Sequence, residues 1–145
     1  MTALTLDLAN RMIEGALRHG REIGCAPLTV AVLDPGGHLV AFQREDRSGI
    51  LRPDIAVGKA WGALGMGTSS GALAERLAGN APFLNALAAM SQGRVVPAAG
   101  GVLVRRGDGG VIGAVGISGD RSDRDEACAL AGIRAAGLDY AEAPA

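Results

Sequence analysis

Four groups of residues have types and spacings that suit chemistry. His38 follows Asp34-Pro35-Gly36-Gly37 and opens an apolar run. An imidazole titrates near neutrality, so His38 suits an axial metal ligand or a general acid/base. Equally, a turn histidine can simply bond to nearby backbone. Lys59 lies in a segment where Ile55, Ala63 and Met66 recur at helical spacing, with Val57, Ala60, Trp61 and Leu64 in the neighbouring directions. A helix that is apolar almost all round is buried. A buried lysine loses solvation, which lowers its pKa or demands an anionic partner. Lys59 therefore suits binding an acid group, acting as a base, or forming a Schiff base. A snorkelling side chain or a structural ion pair reads the residue as well. Asp120, Asp123, Asp125 and Glu126 cluster where a last helix begins. Capping and the helix dipole account for them. The functional alternative makes Asp125 and Glu126 a catalytic acid/base pair with separated pKa values. Oxygen ligands there would also suit a hard cation, but the spacing matches no calcium loop, and no metal site is assigned. Arg44, Arg47 and Arg52 could receive an anionic ligand at a pocket mouth, or form a solvated loop face.

These residues need elements to hold them. Thr5 to Ile23 reads as a helix with Thr5 as its cap and Asp7 in its first turn. Leu28 to Leu33 and His38 to Arg44 flank a strong turn signal and read as a β-hairpin. After a polar loop, Pro53 suits the first turn of a helix reaching Met66. Ser70 is the expected cap of a short helix through Leu77, and Ala81 to Met90 reads as another. Strands return from Val95. Val102 to Arg106 and Val111 to Ser118 flank a second glycine-rich turn. Ser122 opens a last helix to about Ala136, and Ser122 with Asp125 has capping-box spacing. Hairpins imply antiparallel pairing, so the expectation is an α+β layered domain over residues 1–145, with one antiparallel sheet built from two hairpins and covered by helices.

Composition narrows the classes. The formal net charge is −1, and no block of like charge suggests nucleic acid or an anionic membrane. No apolar run approaches the ~18–20 residues of a membrane span, and the first residues lack signal-peptide character, so a cytoplasmic protein is expected. The two cysteines, Cys25 and Cys128, are read as free, buried thiols. Glycine is abundant at 23 residues and aromatics are scarce at 3 %. Gly58, Gly62 and Gly65 in the Lys59 helix predict close packing on the sheet or a subunit contact. Gly110, Gly113, Gly116 and Gly119 thin a strand, either for helix packing or to leave room for a flat ligand. Trp61, the only tryptophan, is read as core. There is no phosphate loop, dinucleotide fingerprint or Cys-x-x-Cys-His motif.

Four ordered segments carry a family resemblance: Val32 to Phe42, Val57-Gly58-Lys59-Ala60, Pro97 to Val102, and Val111 to Gly119 continuing into Ser122 to Cys128. Together they resemble the GlcG/HbpS family, which is also similar to the C-terminal domain of some corrinoid adenosyltransferases. Leu103 stands where many relatives carry proline, and 68–94 matches weakly. The resemblance implies a profilin-like fold, non-covalent haem or tetrapyrrole binding as sensor, carrier or scavenger, and a symmetric homo-oligomer. His38 would then be the axial ligand, with Lys59 and Arg44 receiving the propionates of haem or another anionic small molecule. The residues alone leave a second reading open: a cofactor-independent isomerase, tautomerase or hydrolase acting on an organic acid in a catabolic pathway, with His38, Lys59, Asp125 and Glu126 as its catalytic groups.

Overall fold

The computed structural model describes residues 3–107 and 109–140. Helix α1 (Leu6–Glu22) is followed by β1 (Thr29–Leu33), β2 (Leu39–Arg44), α2 (Arg52–Met66), α3 (Ser70–Leu77), α4 (Ala81–Met90), β3 (Gly101–Arg106), β4 (Gly110–Ser118), α5 (Ser122–Ala135) and β5 (Asp139–Tyr140). The strands form one antiparallel sheet in the order β2-β1-β4-β3-β5. Both expected hairpins are present. They are fused by the β1–β4 pairing, which runs from Thr29 opposite Ser118 to Leu33 opposite Ala114.

Alternation along the strands divides the core in two. Val30, Val32, Val102, Val104, Val115 and Ile117 face α1 and α5, where they meet Met12, Ile13, Ala16, Ala129 and Ile133. Leu33, Leu103 and Ala114 face the other way, onto Ala60 and Ala63 of α2. Thr5 caps α1 by accepting from the backbone N–H of Leu8 at 3.1 Å. Its contact with α5 is close because small residues meet there, with Gly15 against Gly132 and Ala135.

Several local expectations are corrected. The cap of α3 is Ser69, whose hydroxyl accepts from Ala72 N–H at 3.2 Å. Ser70 instead turns inward, accepts from Gly101 N–H at 2.7 Å and donates to Ala98 O at 2.6 Å, tying α3 to the start of β3. The residues from Val95 to Gly100 are irregular rather than strand, and β5 was not foreseen. Residue 122 and Asp125 form no capping box: Arg121 is the N-cap, and no side chain caps it. The β4 glycines leave no slot for a flat ligand at Gly116, since a Cβ there would lie 1.9 Å from the carbonyl oxygen of Ala56. The backbone of α2 occupies that space. Similarly, the carbonyls of Leu33 and Pro27 fill the space at Gly113 and Gly119.

Candidate functional site

His38 sits at the end of the β1–β2 turn, just before β2 begins. Asp34 builds this turn. Its Oδ1 accepts from the N–H of Gly36 at 2.9 Å and of His38 at 3.0 Å, and lies 3.2 Å from His38 Nδ1. The backbone N–H of His38 first, and then that of Gly36, hold the Asp34 carboxyl below its usual range, against an opposing cost of desolvation. The contact with Asp34 occupies Nδ1. Nε2 has no hydrogen-bond partner among the described residues. The His38 side chain is 81 % exposed and borders an open hollow of about 520 Å³ walled by Leu4, Pro35, Val111 and Ile112. A carboxylate behind one ring nitrogen and a free second nitrogen is the arrangement that orients an imidazole toward a metal. Asp34 was missed by sequence reasoning; its spacing of four before a turn histidine was the available signal.

Lys59 is elsewhere, at the centre of the face that α2 lays on the sheet. Its Nζ donates to Ile117 O at 2.9 Å and to Asp125 Oδ2 at 3.1 Å. The two side chains are 3 % and 1 % exposed, so the ion pair is sealed within the protein. Burial lowers the Lys59 pKa, with Arg52 adding to this, while Asp125 opposes it. Burial also raises that of Asp125, against the N–H of Asp120, the Lys59 ammonium and Arg52. Asp125 Oδ1 accepts from Asp120 N–H at 2.9 Å, and Asp120 in turn accepts from Ala26 N–H at 2.7 Å and Arg121 N–H at 2.7 Å. This chain of bonds clamps the start of α5 to α2 and to the loop before β1.

Glu126 is half-buried beside Gly71, and burial followed by the nearby Glu75 charge raises its pKa. Arg44 donates to Ser48 O at 2.8 Å, and with Arg47, Glu45 and Asp46 it borders a shallow depression of about 400 Å³. Arg52 donates to Ser118 Oγ at 3.0 Å. The structure thus brings Lys59 and Asp125 together and sets His38 apart at the hairpin tip, so these three do not converge on one ligand. Among the described residues no group of three or more His, Cys, Asp and Glu is placed to hold a metal ion. None of the described helices is long and apolar enough to cross a membrane.

Cys25 and Cys128 are free and buried, with their sulfurs 3.9 Å apart. Burial, reinforced by Cys25, pushes the Cys128 thiol up to about 12. Trp61 is only partly core. It packs beside Leu33 and Leu73, touches the turn at Gly37, and carries the Arg94 guanidinium over its ring at 4.1 Å from the centroid. Sequence reasoning assigned no role to Arg94, because nothing local links it to Trp61.

Comparison with known proteins agrees with this architecture. A solved complex of PduOC with haem superposes with a TM-score of 0.86 at 27 % identity, over 97 % of this chain and 100 % of that one. ORFY of Klebsiella pneumoniae gives 0.83 at 26 % identity, over 94 % of this chain and 93 % of that one. HbpS gives 0.77 at 28 % identity, over 92 % and 90 %. An uncharacterised 15.0 kDa protein from the dhaT-dhaS intergenic region of Citrobacter freundii is 30 % identical over 125 residues, 86 % of each chain. The family model described as haem degrading protein HbpS-like matches residues 4–134, and the chain belongs to that family.

Proposed function

We propose that this protein binds haem or a related tetrapyrrole non-covalently, with His38 as the iron ligand, and acts as a carrier or scavenger. The observation that carries this reading is the His38–Asp34 pair: Nδ1 is engaged at 3.2 Å, and Nε2, without a partner among the described residues, stands at the rim of a hollow with an apolar wall. Leu4, Pro35, Val111 and Ile112 would take the face of the macrocycle, and Asp34 would keep the imidazole oriented. Bound haem would supply a redox-active iron. The chain's own part would be to offer the iron the His38 imidazole while leaving the site open to solvent. Such exposure suits uptake and hand-over better than chemistry that requires excluded water, and so favours carrier or scavenger over enzyme. The haem complex of PduOC, similar over the whole chain, supports the ligand class.

Lys59 takes no part in this reading, because both of its observed bonds are made to the protein interior. Arg44 is likewise committed to Ser48 O. The test is titration of the protein with hemin, followed by the Soret band. The expected result is a shifted band that saturates at one equivalent, and markedly weaker binding in His38→Ala. Absence of a shift at stoichiometric hemin would reject the proposal.

A further inference from the structure

A second cleft, of about 520 Å³, is bordered by Gly37 of the hairpin turn, by α2 and by the bend at 92–94. Asp54, Val57 and Trp61 stand along one face of α2, and Gln92 and Arg94 line the cleft from the bend. Gln92 (φ 57) and Gly93 (φ 76) are consecutive left-handed residues. They close α4: Gln92 N–H donates to Ala89 O at 3.2 Å and Gly93 N–H to Ala88 O at 2.8 Å, the bonds of a left-handed helix end. The bend throws Arg94 back over the indole of Trp61, and Arg94 Nε donates to Ser91 O at 3.0 Å. The guanidinium is thus fixed flat, with no carboxylate partner among the described residues for its two terminal nitrogens. The Asp54 carboxylate also has no hydrogen bond or ion pair among the described residues.

The floor of the cleft is Gly58, where a Cβ would lie 2.8 Å from Arg94 O and 2.5 Å from Val96 Cγ2. Val96 N–H donates to Gly58 O at 3.2 Å. Gly58 and Gly62 therefore seat the 94–96 segment rather than the sheet, whereas Gly65 faces open space. Asp54 and Trp61 are seven positions apart on the helix, roughly 10 Å along the axis. An unpaired, stacked arginine fork at one end, an aromatic edge and apolar Val57 between, and an unpaired carboxylate at the other end make an asymmetric recognition surface. A guanidinium fork matches a carboxylate, and an unpaired carboxylate accepts from a hydroxyl or amine.

We propose that this cleft is a second binding site, for a small planar carboxylic acid bearing a hydrogen-bond donor at the end remote from its carboxylate. It is separate from the His38 hollow, and its test uses haem-free protein, so failure of one proposal leaves the other standing. Trp61 is the sole tryptophan, so its fluorescence reports occupancy of the cleft directly. The probe is 4-hydroxybenzoate, with benzoate lacking the distal donor and 4-hydroxybenzamide lacking the charge. The expected result is a saturable change with an affinity of the order of millimolar, fitting for so small a ligand. Benzoate binds more weakly, and 4-hydroxybenzamide about tenfold more weakly or worse, since hydrogen bonds to charged groups are the strong ones. Arg94→Gln weakens 4-hydroxybenzoate to the level of the amide, and Asp54→Ala removes its advantage over benzoate. The proposal is overturned by no saturable response in the wild type, by equal binding of acid and amide, or by an unchanged midpoint in Arg94→Gln. The wild-type comparison of acid with amide needs no variant to fold.

Discussion

Replacing Lys59 by methionine removes the ammonium from a sealed ion pair and leaves its partner behind. In the native protein that ammonium bonds to Ile117 O at 2.9 Å and Asp125 Oδ2 at 3.1 Å, with both side chains all but inaccessible. The remaining carboxylate keeps only the N–H of Asp120. Stranding one partner of a buried pair costs about 3–5 kcal/mol. Adding Asp125→Leu removes the stranded charge. It leaves Ile117 O and Asp120 N–H unsatisfied, at about 1–3 kcal/mol each, so the double variant recovers only part of the loss. The pH dependence follows from the sign of the Asp125 shift. Its folded pKa is raised above 3.8, so between 3.8 and the folded value the native state binds more protons than the unfolded. Stability from this group therefore falls as pH rises through that window. Losing Lys59 widens the window, because the ammonium was lowering the Asp125 pKa. Lys59→Met should then be least destabilised in acid and most destabilised near neutrality. Urea unfolding followed by circular dichroism at a series of pH values measures this. A cost below ~1 kcal/mol at neutral pH, or strictly additive effects of the two substitutions, would refute the reasoning.

Two further outcomes follow from the packing. Gly116→Ala places a Cβ against the Ala56 carbonyl at 1.9 Å, so α2 must lift from the sheet. The expected loss is at least ~1–3 kcal/mol in thermal unfolding, and an unchanged midpoint would mean that α2 is not seated there. Cys25 and Cys128 have sulfurs 3.9 Å apart, well beyond the ~2.05 Å of a disulfide. With the Cys128 thiol pushed up to about 12, both should react with Ellman's reagent only as fast as the protein opens. Rapid labelling of the native protein would contradict that.

What the sequence disclosed was whatever its neighbours decide. The Thr5 cap, the two hairpins and the apolar surroundings of Lys59 are all written in stretches shorter than twenty residues. The β1–β4 pairing joins residues 81 to 89 positions apart, and no local pattern marks it. Ser69 and Ser70 both suit a cap, and only the docking of α3 against Gly101 decides between them. Asp125 illustrates the same limit. Its spacing from Ser122 imitates a capping box, while its real partner, Lys59, is 66 residues away. The burial of Lys59 was legible, but whether an acid ligand or a protein carboxylate would meet it was not. For His38, the turn that presents it was visible and its contact with Asp34 is local to that turn, whereas the apolar hollow depends on β4 and the chain start coming alongside.

The central claim is that His38 is the group that ligates haem iron. Low-temperature electron paramagnetic resonance of the one-to-one ferric hemin complex, resolving nitrogen from an axial imidazole, tests it most directly. The chain has only two histidines, so His38→Ala and His19→Ala exhaust the choices. The account predicts the imidazole signature in the wild type and in His19→Ala, and its loss in His38→Ala. A signature that survives in His38→Ala and disappears in His19→Ala would contradict it.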